Sequence, residues 1–226
     1  METGLTLKGP FMILMLNAFL GTIGISLAIP VLPAFLAEMG AGGRTLGLLV
    51  AAFSMTQFLF SPMAGELTDK YGRRKFILFG MAFFCLAEGL FAVAETLWLL
   101  FVSRLLGGVA AACIIPAVMA YVADMTTEDM RAKGMGLLAA AMSLGLVIGP
   151  GVGGFLAEFG VRVPFYFASA VALVALIFSF FLLPETRPLR AQLRARRRLK
   201  RGEPMIRQLL RSLRTPYALL LLLIFA

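Results

Sequence analysis

The chain has 226 residues, of which 60% are apolar, and its formal net charge is +9. Soluble domains are closer to half apolar, so this composition predicts an integral membrane protein. The basic residues lie in short runs between apolar blocks and form no nucleic-acid-binding motif, so we expect no nucleic acid partner. With no His, no CxxC pair and no clustered carboxylates, the sequence predicts neither an enzyme nor a metal or cofactor site.

Six apolar blocks are each long enough to cross a bilayer, which requires about 20 residues of helix. They cover roughly 10–32, 46–67, 76–94, 97–121, 134–156 and 164–183, and a seventh block begins at Tyr217. The sequence therefore predicts an all-α membrane fold in three parts. Residues 1–184 form a six-span bundle, 185–215 form a basic linker, and 216–226 begin a seventh span whose own bundle we expect to be missing from this chain.

The basic residues also predict the orientation, because Lys and Arg concentrate on the cytoplasmic side of membrane proteins. The N-terminus and the even-numbered connections carry most of them, whereas only Arg44 and Arg162 fall in the other connections. We therefore expect a cytoplasmic N-terminus. In the linker, apolar and basic residues alternate at helical spacing over 205–214, which fits either a short helix on the inner leaflet or a solvated segment.

The connection at 65–75, between the second and third spans, combines glycines with acidic and basic side chains. Charges and unpaired backbone groups are too costly in lipid, so this stretch is predicted to form a tight turn at the membrane surface. Its basic residues assign that surface to the cytoplasm.

Polar residues inside the first two spans are candidates for a substrate cavity. Asn17 shares a helix face with small residues, and the span then meets Pro30 and Pro33, which predict an end or a kink. In the second span, Gln57 lies among aromatic residues such as Phe53. A primary amide within a membrane needs partners, so either helix packing or a substrate-facing role fits Asn17 and Gln57.

Two charged residues, Glu88 and Arg104, lie within the third and fourth spans. Arg104 is about seven residues into its span, roughly 10 Å deep at 1.5 Å per residue. Both are eight residues from Thr96, where the two spans turn, so antiparallel helices would place them at the same depth. We expect the two side chains to approach each other directly or through water. Ionisable residues inside a membrane indicate a functional site.

The fifth span contains glycines at 145, 149 and 153, which share one helix face and permit close packing against another helix. Pro150 lies among them and removes a backbone hydrogen bond, which predicts a bend. A bent face without side chains favours close and movable helix packing.

These stretches resemble the major facilitator superfamily, and in particular its twelve-span drug/proton antiporter group. Residues 103–108 resemble the fourth-span motif of proton-coupled members, and 145–154 resemble the fifth-span motif of antiporters. The segments 29–33, 48–53 and 164–168 add further similarity to multidrug pumps of this group. The signature between the second and third spans is matched by Gly65, Leu67, Asp69, Gly72, Arg73 and Arg74.

The resemblance implies a six-helix N-terminal half that rocks against a second half around a substrate bound between them. It implies proton-coupled multidrug efflux by a full-length monomer in a bacterial cell membrane, with amphipathic or cationic drugs as substrates. The energy source is then the proton gradient, with no cofactor. The first, second, fourth and fifth spans would face the cavity or the second half, and the third and sixth would face lipid. Export of a sugar or another small metabolite is the alternative within the same superfamily.

The resemblance also implies roles for individual residues. Arg104 and Glu88 become candidates for proton coupling, although the acid that carries the proton is expected in the missing half. We expect Asp69, Arg73 and Asp124 to form a charge cluster at the inner face that holds one access state. The gating residues are Gly65, Asp69, Gly72, Arg73, Arg74 and Asp124. The antiporter helix residues are Gly145, Gly149, Pro150, Gly153 and Gly154, and the substrate-cavity candidates are Asn17, Gln57, Phe53 and Ser143.

Overall fold

The computed structural model describes residues 8–186, and every regular element in this part of the chain is an α-helix. The all-α architecture expected from the sequence is confirmed. The linker, the helix considered at 205–214 and the seventh span lie outside the described residues. In chain order the helices are α1 (Lys8–Ser26), α2 (Ala28–Glu38), α3 (Gly43–Tyr71), α4 (Arg73–Ala92), α5 (Leu97–Met125), α6 (Glu128–Ala157) and α7 (Val163–Leu182).

Six helical segments of the described chain are long and apolar enough to cross a membrane. Helices α1 and α2 together form the first, Gly9–Glu38, and α3 to α7 form the other five. The number of spans is confirmed, but several helices are longer than their apolar blocks. Apolar length predicts only the part inside lipid, whereas backbone hydrogen bonding continues the helix beyond it.

The interruption in the first span lies at Leu27, between α1 and α2, rather than at the prolines themselves. Helix α2 contains Pro33 and continues to Glu38. A proline lacks the N–H that would bond the carbonyl four residues earlier, so Pro30 affects the turn before it. Of the two predicted outcomes, an end of the span at the prolines is not observed, whereas an interruption of the helix is, about one turn before Pro30.

The connection at 65–75 is helical on both sides of a single residue, because α3 continues to Tyr71 and α4 begins at Arg73. Gly72 joins them with a φ of 106°, a conformation that strains residues with a side chain. The predicted tight turn is observed, but it is confined to Gly72, and the rest of the stretch is helical. Charged side chains at a helix end can reach water without leaving the helix. We call this end of the bundle the Gly72 end and the opposite end, where α4 turns into α5, the Thr96 end.

Helix packing produces four apolar clusters in the described part of the chain, and the two largest lie one at each end of the bundle. Helix α4 packs against its antiparallel neighbours α5 and α7, while α3 runs parallel to α5 and α1 runs parallel to α6. The core at the Gly72 end includes Leu14 and Tyr121, and the core at the Thr96 end includes Phe35. Helices α3 and α6 keep broad apolar faces exposed, as at Phe58 and Val147.

The glycine face of α6 lies directly on the backbone of α1. A methyl group added at Gly145 would lie 2.6 Å from the carbonyl oxygen of Phe19, and one at Gly153 would overlap the carbonyl of Leu27. The Oγ of Ser26 donates a hydrogen bond to the Gly145 carbonyl at 3.0 Å. The break at Leu27 therefore sits on the glycine face, and no side chain separates the two helices there.

Replacing Gly153 tests this close approach. We expect Gly153→Ala to lower the free energy of unfolding by about 1–3 kcal/mol, because the new methyl group meets backbone atoms that cannot rotate away. The matched control is Gly151→Ala, two residues earlier, where a methyl group meets nothing within 4 Å. Denaturant unfolding of the purified full-length protein in detergent measures both, and equal stability of the two variants would contradict the packing.

Candidate functional site

The first candidate element is the charge cluster of Asp69, Arg73 and Asp124 at the Gly72 end. The Arg73 side chain is only 9% exposed. Its Nη1 forms an ion pair with Asp69, one turn earlier along the chain, and its Nε donates to Oδ2 of Asp124 at 3.1 Å. The structure thus brings the three predicted residues together, joining the ends of α3, α4 and α5. Arg74 lies outside the cluster, because its Nη2 donates to the carbonyl of Phe180 in α7.

Sequence analysis missed three contacts that tie the chain after α7 to this cluster. Oε1 of Glu185 accepts the backbone N–H of Arg73 at 2.9 Å, at the start of α4. The Tyr121 hydroxyl donates to the carbonyl of Pro184 at 2.6 Å, and the Thr186 hydroxyl lies 3.4 Å from Asp124. The contact made by Glu185 could have been predicted from the sequence. This acid comes just after the sixth apolar block, and α7 must return to the end of the bundle where α4 begins.

The second candidate element is the charged pair inside the bundle. Nη2 of Arg104 lies 3.9 Å from Oε2 of Glu88, and both residues are largely buried. The proximity expected from their spacing around Thr96 is therefore observed. The separation exceeds hydrogen-bonding distance, so the attraction is ionic rather than directional. The Oγ of Ser103, next to Arg104, donates to the Ala87 carbonyl and holds α5 against α4.

The four substrate-cavity candidates do not meet in one place. Asn17 is buried, and its Nδ2 donates to Oγ of Ser179 at 2.6 Å. Phe53 packs its ring near Gly107, where an added methyl group would lie 3.3 Å away. Gln57 is half-buried and Ser143 is exposed. Only Asn17 lines the described cavity.

That cavity lies between α1, α4, α5 and α6 and has a volume of about 60 Å³. Asn17 and Thr22 are its polar contributions, and the rest of its wall is apolar. Such a space accepts a small apolar group and offers one amide for orientation. Its apolar side chains include Ile25, Phe84, Ile114, Met119 and Met142.

Comparison with known proteins decides the family. Residues 14–226 match the Major Facilitator Superfamily. The chain belongs to this superfamily. Together with six membrane-length helices, this membership makes it a multi-pass membrane protein.

The similar superfamily members include bacterial drug-resistance proteins. The chain is 44% identical over 218 residues to Multidrug resistance protein 2 of Bacillus subtilis, covering 96% of this chain and 54% of that protein. It is 47% identical over 178 residues to Multidrug resistance protein 1 of the same species, covering 78% and 46%. It is 42% identical over 171 residues to Quinolone resistance protein NorA of Staphylococcus aureus, covering 76% and 44%. The chain therefore spans about half the length of these relatives.

A solved structure supports the same fold. The crystal structure of the human organic anion transporter MFSD10 (TETRAN) superposes with a TM-score of 0.72 and 27% sequence identity. The likeness covers 80% of this chain and 49% of that one. The predicted major facilitator fold is confirmed for the described bundle.

The contact between Glu185 and the start of α4 can be tested by substitution. We expect Glu185→Ala to lower the free energy of unfolding by about 1 kcal/mol. This is the usual effect of removing the acceptor for a backbone N–H in the first turn of a helix. Glu185→Gln keeps an acceptor oxygen and should recover most of that loss. Glu158→Ala, an exposed acid at the Thr96 end, serves as the control in thermal unfolding in detergent. Equal melting temperatures for Glu185→Ala and Glu158→Ala would contradict the assigned contact.

Proposed function

We propose that the full-length protein is a proton-driven exporter of amphipathic, often cationic, drugs. The observation that carries this proposal is the 44% identity, over 96% of the chain, to a protein named for multidrug resistance. The protein then acts as a transporter rather than an enzyme and uses the proton gradient without a cofactor. It sits in a bacterial cell membrane as a monomer with a cytoplasmic N-terminus.

The charge cluster supports a gating role at the Gly72 end, which we assign to the cytoplasmic side. Arg73 is nearly buried and is held by carboxylates from two other helices. Separating these helix ends would expose a charged group that has lost its partners unless water replaces them. The cluster can therefore hold one access state while the helix ends stay together, and release that state when the halves tilt.

The charged pair in the bundle supports a role in proton coupling. Arg104 stays charged, and Glu88 faces it at 3.9 Å. A carboxylate held opposite a permanent cation is better suited to neutralising that cation than to carrying a proton. We therefore assign Arg104 to the coupling apparatus, with Glu88 as its counter-ion, and place the proton-carrying acid in the second half of the full-length protein.

Two regions support drug binding. The cavity beside Asn17, at about 60 Å³, is too small for a whole drug, but its apolar and methionine walls suit one small apolar group of a ligand. Phe53, Gln57 and Ser143 lie on α3 and α6, two helices that keep broad apolar faces exposed. Polar groups on such faces suit a wall of the cavity between two halves, and aromatic rings there attract cationic drugs.

Efflux assays on the full-length gene test the proposed function. In cells without their own multidrug pumps, we expect the protein to export ethidium and a quinolone, and an uncoupler that collapses the proton gradient should stop both. Export of a sugar analogue without drug efflux would instead favour a metabolite exporter and overturn the proposal.

The gating role predicts a specific effect of Asp69→Asn. Removing this carboxylate leaves Arg73 with one fewer counter-charge, so we expect efflux to slow by about tenfold, the change produced by about 1.4 kcal/mol in an activation barrier. Membrane insertion and expression should stay normal. Glu66→Gln, one turn earlier on α3, is the matched control and should keep its efflux rate. Normal efflux in the Asp69→Asn variant would refute the gating role.

A further inference from the structure

The orientation of Arg104 is not explained by hydrogen bonds. Within residues 8–186, no hydrogen-bond partner is found for its Nε and Nη2 or for Oε2 of Glu88, and all three atoms are buried. The ion pair at 3.9 Å neutralises the charge, but an ionic attraction at that distance has little directional preference. Another contact must therefore set the plane of the guanidinium group.

Phe91 provides that contact. The Cζ atom of Arg104 lies over the Phe91 ring, 4.1 Å from its centre. A guanidinium group stacks on an aromatic face, and the attraction is strongest where water is excluded. Phe91 is fully buried, and it lies three residues after Glu88 on α4. One helix thus supplies both the counter-charge and the stacking surface for Arg104.

The Phe91 ring is itself fixed by its neighbours. Phe165 of α7 stacks on it with ring centres 4.3 Å apart, and Phe35 of α2 packs at 5.2 Å. The next residue, Ala92, accepts a hydrogen bond from Nη1 of Arg162 at 2.9 Å. The guanidinium of Arg162 in turn lies 5.3 Å from the Phe35 ring centre. Ring contacts from α2 and α7 therefore hold Phe91 in place, and Arg162 holds the backbone beside it.

We propose that Phe91 is a positioning residue for Arg104. Its ring sets the plane of the guanidinium and Glu88 supplies the counter-charge, while Nε and Nη2 donate no hydrogen bond within the described residues. The functional part of this inference rests on the proposed transport role, because it assumes that Arg104 acts in coupling. The structural part, a specific energetic coupling between Phe91 and Arg104, does not depend on that role.

A double-mutant cycle in the full-length protein tests the structural part. The variants are Phe91→Leu, Arg104→Lys and the double variant, followed by denaturant unfolding in mixed micelles. We expect the Phe91→Leu effect on the unfolding equilibrium constant to be roughly tenfold smaller in the Arg104→Lys background, because the stacking is already weakened there. The control cycle uses Leu36→Ala, which truncates an equally buried side chain of the same apolar cluster and should be additive with Arg104→Lys. Additive effects in the Phe91 cycle would overturn the proposal.

Transport kinetics test the functional part. We expect Phe91→Leu to lower the maximal rate of drug efflux and to alter its dependence on pH in the same way as Arg104→Lys, with little change in the apparent KM. Leu36→Ala, which truncates a buried side chain of the same apolar cluster, should also lose stability but keep the wild-type pH profile. A Phe91→Leu profile identical to that of Leu36→Ala would overturn the positioning role. Absence of drug efflux by the wild-type protein would instead reject the proposed function, while the unfolding cycle would still decide on the stack.

Discussion

A buried cation needs acceptors close by, and Arg73 lies where the ends of four helices can supply them. Its side chain joins α3 and α5 through Asp69 and Asp124, and its backbone N–H joins the start of α4 to Glu185, beyond the end of α7. Removing one partner from a buried charge costs several kcal/mol, so these helix ends are held together. Both carboxylates keep part of their surface exposed, 46% for Asp69 and 34% for Asp124, while the Arg73 side chain is 9% exposed. The junction therefore keeps the cation covered by partly hydrated acids as long as the helix ends stay together.

The Thr96 end is held together by different interactions. Phe35, Phe91 and Phe165 bury their rings against one another, and Arg104 and Arg162 each place a guanidinium on this aromatic cluster. Aromatic packing and cation–π contacts need no water and no exposed charge, so they suit a part of the bundle that stays closed. The two ends are thus held by different interactions, ion pairs at the Gly72 end and aromatic packing at the Thr96 end.

Between the two ends, helix contact depends on glycine. Gly145 and Gly153 allow α6 to touch the backbone of α1, and Gly108 allows α5 to approach the carbonyl of Phe53 on α3. Membrane helices gain little from the hydrophobic effect when they associate, so close van der Waals contact must supply the attraction. The break at Leu27 lies on this contact. The segments on either side of it can therefore change angle over a smooth surface.

Much of this molecule follows from local sequence, because lipid allows few alternatives. Apolar length determined six spans, glycine spacing identified the face of α6, and equal spacing around Thr96 brought Glu88 to Arg104. These features depend on helical periodicity and on the cost of burying charge, which act within one helix or one hairpin. Only the tertiary structure decided which helices pack in parallel, that the chain after α7 reaches the start of α4, and that Phe91 lies beneath Arg104. Such contacts join residues far apart in sequence, and many other helix faces are apolar enough to have formed them. The choice among them depends on how side-chain shapes fit together in three dimensions, which no periodicity along the chain encodes.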